Sequence, residues 1–203
     1  MTRTATHRDA GHEFSGALGL AAGLAMAEGR GRMARTVADL AAVAPGDRVV
    51  DVGCGPGTFL REAARRGAEA VGVEPAAQMR RLAVRLTPAR LRPAITVLDG
   101  TAERLPLADG AATVAWAVAS VHHWADLDAG LAELHRVLAP SGRLLLVERL
   151  ARPRSWFSHH ALTWERAEQL AARAATAGFI EPVAERVALG RSRLALVRAR
   201  HPG

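Results

Sequence analysis

The 203-residue chain has no lysine and no tyrosine, a single cysteine and only 4% aromatic residues. With lysine absent, all 27 basic residues are arginine. Uniform replacement of one basic residue by the other reads as a compositional bias, because net charge speaks about partners only when it is clustered. The arginines run the length of the chain, with local groups at Arg61, Arg65, Arg66, at Arg80, Arg81, Arg85 and at Arg191, Arg193, Arg198, Arg200. A net charge of +7 is therefore not read as a nucleic-acid-binding surface. The lone Cys54 excludes an intramolecular disulfide framework and a zinc site built from cysteines, and it fits a reducing, cytoplasmic setting. No apolar run approaches the ~20 residues needed to cross a bilayer, so no membrane span is expected. The stretch Ala17 to Ala27, preceded by Arg3 and Arg8, imitates an export signal. Asp9 and Glu13 in its basic region, and Gly16, Gly19 and Gly23 near and within its apolar part, argue against that reading.

Apolar residues make up 49% of the chain, enough for one globular domain that buries ~70% of its unfolded surface. From Asp47 onward, short β-branched runs alternate with helical stretches, the pattern of a parallel sheet covered by helices. Strands are predicted at Arg48 to Val52, Ala70 to Val73, Ala94 to Leu98, Ala112 to Val118 and Arg143 to Val147, the last entered through a turn at Pro140-Ser141-Gly142. Helices are predicted from about Thr58 to Arg66, Pro75 to Leu86, Leu127 to Leu138 and Trp164 to Ala177. Two strands separated by Gly190 close the chain as a hairpin. The expectation is a single α/β, Rossmann-like domain: an N-terminal helical segment over 1–44, a ligand-binding core over 45–150, and a lid, last helix and hairpin over 151–203.

Val49-Val50-Asp51-Val52-Gly53-Cys54-Gly55-Pro56-Gly57 is a strand that breaks into a glycine-rich turn and a helix N-terminus. Glycines permit positive φ and close approach of a ligand to the backbone, so the turn can cradle a nucleotide-like molecule at the carboxyl end of the sheet. A dinucleotide fingerprint would put its third glycine where this chain has Thr58. Here Asp51 stands just before the turn, where its charge repels a pyrophosphate and suits a ligand with a positive centre. Glu74 closes the second strand and can accept the two hydroxyls of a ribose. Asp99 closes the third, and Gly100, Thr101 and Ala102 beside it can frame an adenine ring. Three carboxylates at adjacent strand ends are thus expected to converge on one crevice.

The run Val49 to Gly57, the segment Val71-Gly72-Val73-Glu74-Pro75, the segment Asp99 to Pro106 and the segment His135 to Arg143 resemble, in order, the motifs of the class I S-adenosylmethionine-dependent methyltransferases. The most similar group is the small-molecule family called type 11. The resemblance covers about residues 38 to 150 and implies a seven-stranded sheet in the order 3-2-1-4-5-7-6 with strand 7 antiparallel. It implies that Asp51, Gly53, Cys54, Gly55 and Gly57 hold the methionine part of S-adenosylmethionine. Glu74 with Pro75 would then bind the ribose, and Asp99, Gly100, Thr101 and Ala102 the adenine region, with Ser120 closing the site. Two positions depart from the family pattern: Ala112-Thr113 stands where Phe-Asp is common, and Ser141 where glycine is.

Methyl transfer from a sulfonium is an in-line displacement, so a base is needed only when the acceptor must lose a proton. Ser120-Val121-His122-His123-Trp124 follows the fourth strand and brings two imidazoles to the methyl position. His122 or His123 is the candidate base, with the cap of the crevice as an equal alternative. Trp156, Phe157, His159, His160 and Trp164 lie where this fold grows its acceptor lid, which suits an apolar or aromatic small molecule. A metal held by these histidines is not expected, because adjacent histidines on a strand point to opposite sides. The helix Leu18 to Met26 is read as lying over the cofactor, with packing on the sheet edge as the alternative. Cys54 is read as a packing residue. An RNA or protein acceptor, or a non-catalytic protein of the same fold, are the competing readings.

Overall fold

The computed structural model describes residues 30–150, 162–190 and 192–203. The expected helix Leu18 to Met26, and Trp156, Phe157, His159 and His160, lie outside them. The described elements run α1 (Gly31–Leu40), β1 (Arg48–Val52), α2 (Thr58–Arg65), β2 (Glu69–Val73), α3 (Ala77–Arg85), a 3-10 turn (Ala89–Ala94) and β3 (Ile95–Leu98). They continue with β4 (Ala112–Val118), a second 3-10 turn (Val121–His123), α4 (Leu127–Val137), β5 (Leu138–Arg149), α5 (Trp164–Thr176), β6 (Ile180–Leu189) and β7 (Ser192–Arg200).

The seven strands form one sheet in the order β3-β2-β1-β4-β5-β7-β6. β1 to β5 pair in parallel, and β7 runs antiparallel to both β5 and β6. The alternation of side chains along each strand divides the core in two. Val50, Val52, Ala115, Ala117, Leu144 and Leu146 face α4 and α5 through residues such as Leu131, Leu134 and Leu170. Val49, Val114, Trp116, Val118, Leu145 and Val147 face α1 and α2 through Met33, Val37, Phe59 and Leu60. The near-continuous apolar run of β4 is what a central strand covered on both faces requires. Helix α4 starts at Asp126, whose side chain accepts from the Asp128 and Ala129 N–H groups, and α5 starts at Thr163, whose hydroxyl accepts from the Arg166 N–H.

The largest boundary difference from the sequence expectation is at the start of β5. β5 begins at Leu138, directly after α4, and not at Arg143. Ser141 adopts a positive φ of 62° and the pairing with β4 jumps from Ala112↔Leu138 to Val114↔Arg143, so the residues read as a turn form an irregularity inside the strand. Helix α1 falls within the segment expected to be helical and covers one sheet face beside α2.

The unusual Thr113 also finds its reason at the amino end of the sheet. Its hydroxyl donates to Asp47 Oδ1 at 2.7 Å and accepts from the Arg48 N–H at 3.0 Å. Arg143 Nη2 donates to the same Asp47 oxygen at 2.5 Å, and the Ala44 N–H to the other at 2.9 Å. A hydroxyl thus ties β4 to the start of β1.

Candidate functional site

β1 ends in the turn at Gly53, Gly55 and Gly57, whose φ values of 75°, 51° and 74° lie in the region that disfavours side chains. Two of the three are also held by packing. A Cβ on Gly53 would stand 2.5 Å from Ser120 Cβ, and one on Gly57 would stand 3.1 Å from Ala83 Cβ. A Cβ on Gly55 would meet nothing within 4 Å, so the turn is open at its middle. The closed parts are pinned by the Gly53 N–H donating to the Val73 carbonyl at 2.8 Å and by the buried Arg61, which donates to the Pro56 carbonyl at 2.7 Å. Cys54 packs against Gly72, where a Cβ would come within 2.6 Å of its sulfur. Burial, and then the charges of Asp51 and Glu74, push the Cys54 thiol well above its ordinary pKa, which disfavours the thiolate and accords with a packing residue.

The three expected carboxylates take three different environments. Asp51 is 1% exposed, and its Oδ2 makes no hydrogen bond. Burial first, and Glu74 second, raise its pKa to about 8, against the pull of the Trp116 indole and the Arg30 guanidinium. Trp116 is the register partner of Asp51 on β4, and its indole nitrogen also makes no hydrogen bond. Glu74 is buried and accepts from the Gly55 N–H and the Ala76 N–H, both at 2.9 Å. Burial raises its pKa, and those two donors oppose the rise. Asp99, 71% exposed at its side chain, is held by both ends of the Arg80 guanidinium at 2.9 Å. Arg80 also donates to the carbonyls of Glu74 and Pro75 at 2.8 and 2.7 Å.

Three carboxylates do stand at adjacent strand ends, but they are not three bare anions. Arg80 neutralises Asp99, and backbone donors occupy one lone pair on each Glu74 oxygen. Beside them, Gly100 is packed so tightly that a Cβ would meet Pro106 Cδ at 2.8 Å. Ala102 is a buried core residue, and Thr101 is exposed and bridges to Arg104.

At the end of β4 the backbone is strained: Ala119 has a φ of 52°. The buried Ser120 hydroxyl then donates to the Val52 carbonyl at 2.7 Å and locks this end of β4 to β1. His122 and His123 sit on the 3-10 turn that follows, with ring centroids 4.0 Å apart. Glu148 on β5, 2% exposed, places Oε2 2.9 Å from His122 Nδ1 and accepts the Val121 N–H on Oε1 at 2.9 Å. The loop continues under Glu103, whose Oε1 accepts from the Ala125 and Asp126 N–H groups at 2.7 and 3.2 Å. Trp164, assigned in sequence to the lid, is the first residue of α5, and the Arg186 guanidinium lies 4.3 Å from its ring centroid.

Glu148, Arg80 and Arg61 stand at the candidate site, and the sequence expectation gave none of them a role there. A single carboxylate ending the apolar run Leu144-Leu145-Leu146-Val147 was a usable signal for the first. Among the described residues, no cluster of His, Cys, Asp and Glu could hold a metal, and no helix is long and apolar enough to cross a membrane. A cavity of about 370 Å³ lies on the α1 and α2 side; Thr58 and Arg61 line it, but none of Asp51, Glu74 or Asp99 does.

The chain is similar to known proteins in sequence and in fold. Residues 50–146 match the family described as methyltransferase domain. An uncharacterized methyltransferase of Mycobacterium bovis is 35% identical over 144 residues, 71% of this chain and 55% of that protein. A demethylmenaquinone methyltransferase of Thermus thermophilus is 36% identical over 129 residues, 62% of this chain and 58% of that protein. The chain thus spans little more than half the length of these two relatives. A solved structure of an S-adenosylmethionine-dependent methyltransferase from Aquifex aeolicus superposes with a TM-score of 0.71 at 18% identity, over 84% of this chain and 92% of that one, a likeness of fold.

Proposed function

We propose that the chain, whose residues 50–146 match the methyltransferase-domain family, is a class I S-adenosylmethionine-dependent methyltransferase, a cytoplasmic enzyme that methylates a small-molecule acceptor. The observation that carries the reading is Asp51: a buried carboxylate with an unpartnered oxygen, beside a turn that is open at Gly55. A buried acid without a partner costs stability, and a ligand with an amino group and a sulfonium supplies the missing positive charge. The relative whose name gives demethylmenaquinone as its acceptor supports a small molecule over RNA or protein.

S-adenosylmethionine fits the residues present, and when bound it supplies an activated methyl group on a sulfonium. Asp51 and the Gly53, Cys54, Gly55 and Gly57 backbone would hold its methionine part. Glu74 keeps a second lone pair on each oxygen for the ribose hydroxyls while its first pair fixes the turn and the Ala76 N–H. Asp99, with Gly100, Thr101 and Ala102, would meet the adenine. Arg80 neutralises that carboxylate at the end of the ligand that carries no charge. Pro75 shapes the corner through its carbonyl bond to Arg80. Ser120 backs Gly53, and His122 would stand at the methyl end.

Thermal shift with S-adenosylhomocysteine tests the reading. At 100 times the dissociation constant, binding adds ~2.7 kcal/mol, which is ~5 to 10 °C at this size. A wild-type melting temperature unmoved by saturating ligand, or moved more by NADH, would overturn it.

A further inference from the structure

The geometry points to His122 and Glu148 as a base and its positioning residue, and hence to an acceptor that is methylated at a hydroxyl oxygen, of the phenol or enol class. This rests on the reading proposed above and names the substrate class of the same site. Glu148 is almost fully buried at the end of β5, and both of its oxygens are used. The Val121 N–H fixes Oε1, so the carboxylate cannot turn away, and Oε2 faces His122 Nδ1 at 2.9 Å. A carboxylate only accepts, so the neutral ring that makes this bond carries its proton on Nδ1. Nε2 then holds the lone pair. An imidazole fixed in that tautomer by a buried acid is arranged to take a proton, and the same acid stabilises the imidazolium that results.

An amine acceptor attacks in its neutral form and needs no base before the methyl arrives, whereas a hydroxyl must lose its proton. In the step assigned to the pair, His122 Nε2 takes the hydroxyl proton while the acceptor oxygen uses a lone pair to form the new bond to the methyl carbon. The pair of the breaking carbon–sulfur bond stays on sulfur, which becomes a neutral thioether. His122 leaves the step as an imidazolium beside the Glu148 carboxylate and returns its proton to water.

The test uses the full chain labelled with 15N-histidine and saturated with S-adenosylhomocysteine. Long-range proton–nitrogen correlation is expected to show His122 protonated on Nδ1 in the wild type. In Glu148→Gln the new amide donates to Nδ1, and the ring proton is expected on Nε2. Rates are then read with S-adenosylmethionine and a series of phenols running from phenol to nitrophenols. E148Q and H122Q are both expected to lose at least ~100-fold in kcat on phenols still protonated at the assay pH. On nitrophenols that are already ionised both variants are expected to stay within about threefold of the wild type, with KM little changed throughout. A wild-type ring protonated on Nε2, a loss of equal size across the whole series, or methylation of amines in place of every phenol would each overturn the assignment. Absence of S-adenosylhomocysteine binding by the wild type would strike the broader reading instead, and the ring tautomer would still be measured.

Discussion

Asp47 and Asp51 bracket the same strand and live opposite lives. Asp47, at the amino end of β1, accepts from Thr113, Ala44 and Arg143. Burial acts to raise its pKa, but those hydrogen bonds win and hold it below the ordinary carboxylate range. Asp51, at the carboxyl end, is buried beside another acid, and its pKa is pushed up to about 8. The first is a completed contact that holds the fold together. The second is left incomplete by the protein: its Oδ2, like the Trp116 indole nitrogen beside it and His135 Nε2 elsewhere, has no hydrogen-bond partner, and of these three it is the one next to the open glycine turn, where the proposed ligand would lie.

Asp51→Asn gives the sharpest break of that contrast. It is expected to lower S-adenosylhomocysteine affinity by about 100-fold or more, since a charged partner is removed from a desolvated site. The ligand-free melting temperature is expected to hold or rise. A ligand-induced shift equal to that of the wild type would erase the distinction between the two acids. Asp47→Asn should do the reverse, with about 2 kcal/mol lost and ~4 to 8 °C off the ligand-free melting temperature, while the shift with ligand persists. Calorimetry of both variants with and without ligand reads the two together.

The contrast also carries a sign in pH. Asp51 is raised when folded, so the stability it permits is present below its unfolded value near ~4 and is lost as pH climbs toward about 8. Asp47 is lowered, so its contribution is present above ~4 and is lost as pH falls through its folded value. Ligand-free D51N is therefore expected to gain on the wild type steadily between pH ~4 and ~8, by at least 1 kcal/mol at the upper end. A constant difference between the two melting curves over that window would rule this out. The smallest effect is expected at Arg80→Gln. Its partner Asp99 is exposed, so ~0.2 to 1 kcal/mol of stability is at stake. S-adenosylhomocysteine affinity should change by less than about tenfold, a shift under ~1.4 kcal/mol, and a larger loss would mean that Arg80 meets the ligand itself.

Much of this was legible in the chain. β1 and β4 run over the residues expected of them because β-branched runs bounded by Gly, Asp and Pro leave little choice of ends. Asp51, Glu74 and Asp99 stand at strand ends because a parallel sheet puts all its carboxyl ends on one side. What the spacing could not reveal were pairings through space. Glu148 meets His122 across 26 residues, and Arg80 meets Asp99 across 19. Each depends on which rotamer a long side chain adopts once its neighbours are packed. The start of β5 escaped for a local reason: Pro140-Ser141-Gly142 has the composition of a turn, yet pairing on either side holds it in the sheet.

The 2.5 Å that separates an added carbon at Gly53 from Ser120 has a consequence for how such an enzyme can diversify. The bend that would hold the proposed donor and the loop that bears His122 are wedged together there, so a change of shape in one is expected to dislodge the other. On the proposed reading, a new acceptor preference would have to be built elsewhere on the rim, with donor binding and proton removal left to change only together.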